Sequence, residues 1–244
     1  MKQTIKHHFK KLKANEYLKI FILRLIGNFL VFSAIFMIAK TFYKPASEEI
    51  RYLINKKIEK KYLTTDIKNI SNLSRQLESQ PKGGLAKLLN IKPAEVIIPE
   101  DPNFSIVIPK IGANAKIIDN VDPSDTKVYL EALTKGVAHA QGTAFPGEPG
   151  HIFLFAHSTD YFWNVGTYNA IFYLLYKLEK GDEVDLFFRG QRYVYKVIGK
   201  QIVDPERVEY LTRKTNREFL TLQTCWPPGT TLKRLLVFAA RVAE

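Results

Sequence analysis

From about residue 104 the chain breaks into short apolar or alternating runs separated by turn chemistry, a pattern that few architectures satisfy. The runs Ser105–Pro109, Ala115–Ile118, His151–Ala156, Glu183–Phe188, Arg192–Val203, Phe219–Thr224 and Leu235–Val242 are rich in Val, Ile, Phe and Tyr. These residues fit a pleated, half-buried surface. Helical spacing interrupts them twice, over 124–134 before Gly136 and over Tyr168–Leu178 before Gly181. Seven or eight short strands with such brief helices do not alternate as βαβ units. They predict a mainly β fold, a closed barrel of seven or eight strands with short helices. A segment of about 140 residues is long enough to bury a core of its own.

Upstream the pattern is helical. Ile50, Leu53, Ile54, Ile58 and Tyr62 recur at helical spacing over 47–63, with Lys56, Lys57, Lys60 and Lys61 between them and Ser47 placed to cap the segment. A weaker helix over 66–79 carries Ile67, Ile70, Leu73 and Leu77 on one stripe and ends at Pro81-Lys82-Gly83-Gly84. Pro93, Pro99, Pro102 and Pro109 punctuate an extended connection into the barrel. The two helices read as a stalk or as elements packed on the following domain, the stalk being the simpler reading.

Leu25 to Ala39 contains no charge, and Ile20–Leu23 and Thr41–Tyr43 extend this run on either side. A bilayer core needs roughly 20 residues of helix, a length that 20–43 supplies once Arg24 and Lys40 snorkel to the interface. Residues 1–44 hold nine Lys and Arg against Glu16 alone, so +8 of the formal +12 lies beside this run. That asymmetry predicts a cytoplasmic N-terminus with everything after about residue 44 outside. It also argues against a nucleic-acid binder, which would spread basic residues over its folded face. No small-x-small cleavage site follows the run, so an uncleaved signal-anchor is expected rather than a removed signal peptide. The expected organisation is a basic cytoplasmic segment 1–19, a transmembrane helix 20–43, a helical extension 44–103 and a barrel domain 104–244.

Cys225 is the only cysteine, which excludes an internal disulfide. It ends the strand-like run before Trp226-Pro227-Pro228-Gly229, which cannot continue a strand, so its thiol is expected at a strand end facing a loop. A thiol nucleophile needs a base or a cation beside it. Three histidines follow the apolar run: His139, in a Gly-rich turn region and read as structural, His151 and His157. His157 closes the run Ile152–Ala156. His151 opens it, roughly 20 Å away along an extended chain. Arg234 begins the last strand nine residues after Cys225, across a Pro-Pro-Gly turn. Strands joined in this way pair antiparallel, which brings Arg234 near Cys225. Its planar fork of donors suits a carbonyl or an oxyanion.

Thr221-Leu222-Gln223-Thr224-Cys225 followed by Arg234 resembles the sortase signature TLxTC…R. Gly136 through His157 resembles that family's block leading to its catalytic histidine, and Ser105–Ile118 resembles its first strands. The resemblance covers about 104–242. It implies a sortase-like barrel and a cysteine transpeptidase with Cys225 as nucleophile, His157 as general acid and base, and Arg234 as the group stabilising the oxyanion or substrate carbonyls. It further implies protein substrates bearing an LPxTG-like sorting signal, a thioester acyl-enzyme, and transfer to an amine from a peptidoglycan precursor or a pilin Lys. The nine-residue Cys-to-Arg spacing is similar to that of pilin-polymerising members. No cofactor or metal is expected; some members bind calcium, but no acidic cluster here demands it. The competing readings are a cysteine peptidase that hydrolyses the same intermediate and a non-catalytic, membrane-tethered binding domain. An L,D-transpeptidase is disfavoured, because that family keeps its His and Cys close in sequence. Tyr161, Phe162 and Trp163, with Tyr168, Phe172 and Tyr173, are candidates for a substrate groove, with core packing the simpler reading.

Overall fold

The computed structural model describes residues 2–81, 83–89, 91–158 and 171–242. The chain divides into two compact units, Met1–Ala46 and Ser47–Glu244. Helix α1 runs from Lys2 to Lys57, so Ser47 lies inside a helix rather than capping one. Within the first unit, Glu16–Lys40 is a 25-residue stretch of mean hydropathy 2.2 whose large apolar side chains are exposed. At 1.5 Å per residue it is about 37 Å long, enough to cross a bilayer core of about 30 Å.

The second unit contains β1 (Lys61–Leu63), α2 (Ile70–Glu78), α3 (Gly83–Leu88), β2 (Ala94–Val96), β3 (Phe104–Ile108), β4 (Ala113–Val121), α4 (Thr126–Lys135), β5 (Val137–Ala140), β6 (His151–Phe155), β7 (Glu183–Phe188), β8 (Gln191–Val203), β9 (Phe219–Trp226) and β10 (Lys233–Arg241). Strands β3 to β10 close into one eight-stranded barrel in the order β10-β8-β7-β3-β4-β5-β6-β9. The expected barrel is therefore present. The pairings β4–β5 and β6–β9 are parallel and the others antiparallel.

The parallel β4–β5 pair needs a crossover, which α4 supplies. Asp125 caps that helix, its carboxylate accepting from the backbone N–H of Lys127 (2.9 Å) and of Val128 (3.3 Å). Gly136 then turns the chain into β5, where a Cβ would sit 2.3 Å from the Lys116 carbonyl oxygen. The β7–β8 hairpin turns through Arg189 and Gly190 at φ of 51° and 79°, the left-handed pair that a tight hairpin requires.

Ile152 and Leu154 of β6, Leu220 and Leu222 of β9, Leu186, Tyr195 and Val237 are among the fully or almost fully buried residues of the core. Strands β3 and β6 are buried at every position. Covered faces on both sides explain why their sequences, FSIVI and HIFLF, read as continuous rather than alternating apolar runs.

From the segment before the barrel, Glu49, Tyr52, Tyr62 and Thr64 pack on it. β1 pairs in parallel with β2, so Tyr62 belongs to a strand and not to the preceding helix. Its ring covers Gly112, whose φ of +63° and missing Cβ make room for it. Thr64 donates to Asp185, and Arg192 reaches Thr64 (3.2 Å), Asp185 (3.1 Å) and Glu183 (2.8 Å). Burial pushes the Asp185 carboxyl up, against the pull of Arg192. The face of α1 that turns inward here carries Glu49, Tyr52 and Asn55, whereas Ile50, Leu53 and Ile54 are each more than half exposed. Asp101 precedes β3, its carboxylate accepting from the Asn103 N–H at 2.8 Å.

Candidate active site

The parallel pairing of β6 with β9 sets the site. Its register runs from His151 opposite Phe219 to Phe155 opposite Gln223. His157 follows two residues beyond that register, at the same end of the strand pair as Cys225. Two hydrogen bonds hold the strand ends in that register. The Ala156 N–H donates to the Gln223 carbonyl at 3.1 Å, and the buried Thr224 hydroxyl donates to the Ala156 carbonyl at 2.9 Å.

Strand alternation then decides which way the side chains face. Leu220 and Leu222 point into the core, so Gln223 and Cys225 take the opposite face; on β6, Phe153, Phe155 and the following His157 do the same. On β10, Arg234 lies directly across from Cys225 in the antiparallel register. Residues opposite one another in a ladder project to the same side. The Arg234 guanidinium accordingly reaches the Cys225 sulfur, with Nη1 at 3.7 Å. The same nitrogen donates to the carbonyls of Thr231 (3.1 Å) and Lys233 (3.2 Å), which fixes the fork over the sulfur.

His157, Cys225 and Arg234 line one cleft of about 270 Å³. Its other walls come from α4 and the turn before it, through Pro123, Tyr129 and Leu130, and from the β8–β9 connection, through Pro205, Val208 and Leu211. The sequence gives no local sign of these wall residues: they are ordinary apolar side chains in a helix and a loop.

Two opposed effects act on the sulfur. Burial pushes the Cys225 thiol up, and the neighbouring Arg234 charge pulls it down less strongly. A base must therefore take its proton, or a minor thiolate fraction must react.

The other two histidines lie elsewhere. His139 is fully buried, its Nε2 within 3.0 Å of the Ala144 carbonyl and 2.9 Å of the Thr143 hydroxyl, while its Nδ1 accepts from the Asn120 N–H at 3.3 Å. Burial lowers its pKa. His151 stands at the opposite end of β6, its Nε2 2.8 Å from the Thr221 hydroxyl. Its Nδ1 is buried toward the backbone of Leu211 and Arg213 without a hydrogen bond of normal geometry. Burial and the Arg213 charge bring its pKa down to about 4.

Of the groove candidates, Tyr161, Phe162, Trp163 and Tyr168 lie outside the described residues. Phe172 is fully buried in the core, and Tyr173 packs against it. The described part of the expected helix over Tyr168–Leu178 is a 3₁₀ turn, Tyr173–Lys177. Among the described residues no three His, Cys, Asp or Glu side chains gather into a set that could hold a metal ion.

Comparison with known proteins gives the lineage. The chain is 31% identical over 138 residues to Sortase D of Bacillus subtilis (strain 168), an alignment covering 55% of this chain and 61% of that protein. Among solved structures, it is 30% identical to sortase C-1 from Actinomyces oris, over 68% of this chain and 83% of that one, with a TM-score of 0.49. It is 28% identical to Streptococcus agalactiae sortase C1, over 58% of this chain and 67% of that one, with a TM-score of 0.48. The family model for the sortase domain matches residues 106–242, from the first barrel strand to the end of the last. With more than half its length matched, the chain belongs to the sortase family, whose members are cysteine transpeptidases.

Proposed function

We propose that this chain is a membrane-anchored cysteine transpeptidase that cleaves an LPxTG-like sorting signal and passes the acyl group to an amine. The observation that carries the reading is the single cleft that His157, Cys225 and Arg234 line together. In the reaction, His157 takes the thiol proton of Cys225 as the sulfur attacks the carbonyl carbon between Thr and Gly of the signal. The oxyanion that forms faces the Arg234 guanidinium, a fixed donor in a partly desolvated cleft. His157 protonates the departing glycine amine as the C–N bond breaks, leaving a thioester on Cys225. An incoming amine then gives its proton to His157 as its nitrogen attacks the thioester, and the sulfur leaves. The acceptor is an amine of a peptidoglycan precursor or a pilin Lys. This chemistry requires no cofactor.

The apolar helix Glu16–Lys40 and the basic residues before it support a single-pass anchor with a cytoplasmic N-terminus and an extracytoplasmic barrel. The test is product analysis of the full chain in detergent with an LPxTG-type peptide, with and without diglycine. A ligated product that appears with diglycine and is lost in Cys225→Ala supports transfer. Free carboxylate alone, with diglycine present, identifies a hydrolase instead.

A further inference from the structure

The 3₁₀ turn Tyr173–Lys177 touches both chain segments that carry the site. At its start, the Phe172 N–H donates to the His157 carbonyl at 3.4 Å. Near its end, the Tyr176 ring lies 5.4 Å from the ring of Trp226, the residue after Cys225, at an interplanar angle of 53°. A movement of this turn is therefore felt at both strand ends at once.

The turn is gripped from two sides. From β8, the Lys200 ammonium donates to the carbonyls of Tyr176 (2.6 Å) and Leu178 (2.9 Å). From α1, the Glu49 carboxylate accepts from the Tyr176 hydroxyl and pairs with the Lys177 ammonium at 3.2 Å. That ammonium also lies 4.7 Å from the Tyr176 ring centroid and 5.3 Å from that of Tyr52, one helical turn after Glu49. Glu49, Tyr176 and Trp226 are not among the described residues that line the cleft.

We propose that Glu49, on the helical segment preceding the barrel, is a positioning residue for the Cys225 site, acting through Tyr176 and Trp226. The charged hydrogen bond holds the Tyr176 ring against Trp226, and Trp226 holds the end of β9 closed over the sulfur. Releasing Glu49 frees the ring pair and admits water to the sulfur. The proposal rests on the transpeptidase reading only for its consequence in turnover.

The experiment uses the full chain in detergent and the rate at which iodoacetamide alkylates its single cysteine, followed across pH. Water reaching the thiol favours the thiolate. Glu49→Ala is expected to move the alkylation midpoint down by ~0.5 pH unit or more, about a threefold higher rate below the midpoint. Glu49→Gln, which keeps an acceptor for Tyr176 but loses the Lys177 pair, is expected to fall between Glu49→Ala and the parent chain. Tyr176→Phe, which keeps the ring but loses the hydroxyl, is expected to move the midpoint in the same direction. Peptide turnover is expected to fall in kcat with KM held. Profiles superimposable on the parent chain for folded Glu49→Ala and Tyr176→Phe overturn the proposal; if Glu49→Ala does not fold, Tyr176→Phe alone decides it. Alkylation needs no substrate, so a parent chain inactive on peptides counts against the transpeptidase reading and leaves the Glu49 result to stand or fall by itself.

Discussion

Replacing Thr224 by Val is the perturbation the site geometry makes most informative. The two side chains have nearly the same shape, and Thr224 is 3% exposed, so the substitution removes one hydroxyl and little packing. That hydroxyl donates to the Ala156 carbonyl at 2.9 Å, tying the residue before Cys225 to the residue before His157. Ala156 is itself buried, so its carbonyl is left poorly satisfied. The lost bond and the stranded acceptor together cost about 1–3 kcal/mol. In a domain of this size, 1 kcal/mol moves Tm by roughly 2–4 °C, so a cost of about 2 kcal/mol lowers it by about 4–8 °C. Activity is expected to fall further than stability explains, because a shift of about 1 Å between reacting groups can cost up to 10²-fold. The assay pairs thermal unfolding with peptide turnover measured well below the melting range, with Thr224→Ser as the control that keeps the hydroxyl. The reasoning is refuted if Thr224→Val melts and turns over like the parent, or if the Ser control loses as much activity as Val.

Arg234→Ala is expected to lower turnover by about 10²–10³-fold, the usual loss for one oxyanion donor. Arg234→Lys should recover little, because a point charge does not reproduce a planar fork of N–H donors; full recovery by Lys would reduce the role of Arg234 to charge alone. His151 enters the folded state with its pKa lowered to about 4 from an ordinary 6.5. Its contribution to stability is therefore present above pH 6.5 and lost as pH falls toward 4, by about 3 kcal/mol at ~1.4 kcal/mol per unit. Asp185, raised by burial, binds its proton in the folded state and acts in the opposite sense, so the measurement is the difference between the parent and His151→Gln denaturation curves across that window. A pH-independent difference contradicts the assignment. Gly136→Ala brings a Cβ to 2.3 Å from the Lys116 carbonyl oxygen, a backbone atom with little freedom to yield. It should destabilise by about 1–3 kcal/mol or more, read by chemical denaturation.

The barrel was legible because its strands carry their own periodicity, and the three candidate site residues stood out because each stands at the edge of such a run. Cys225 precedes Trp-Pro-Pro, His157 follows HIFLFA, and Arg234 opens the run after Pro-Pro-Gly. The missed elements depend on contacts distant in sequence. β5 is only Val-Ala-His-Ala, and its Ala138 and Ala140 become fully buried because β4 and β6 flank them. β1 was read into the preceding helix, since its partner Ala94–Val96 lies some thirty residues away and leaves no local mark. Tyr173–Lys177 has helical spacing but forms a 3₁₀ turn. On α1, the stripe Ile50, Leu53 and Ile54 has the spacing of a buried face, yet Glu49 and Tyr52 are the residues that meet the barrel side. Periodicity gives the angle of a helix face but not which face a neighbour covers.

The central claim is that the Cys225 sulfur becomes covalently acylated by a sorting peptide. Intact-mass spectrometry of the full chain, quenched in acid during turnover of an LPxTG-type peptide without added amine, tests it directly. The account predicts a mass gain equal to the peptide fragment ending at Thr, released by hydroxylamine and absent from Cys225→Ala. A parent chain that consumes peptide with no such adduct, or an adduct that survives in Cys225→Ala, contradicts it.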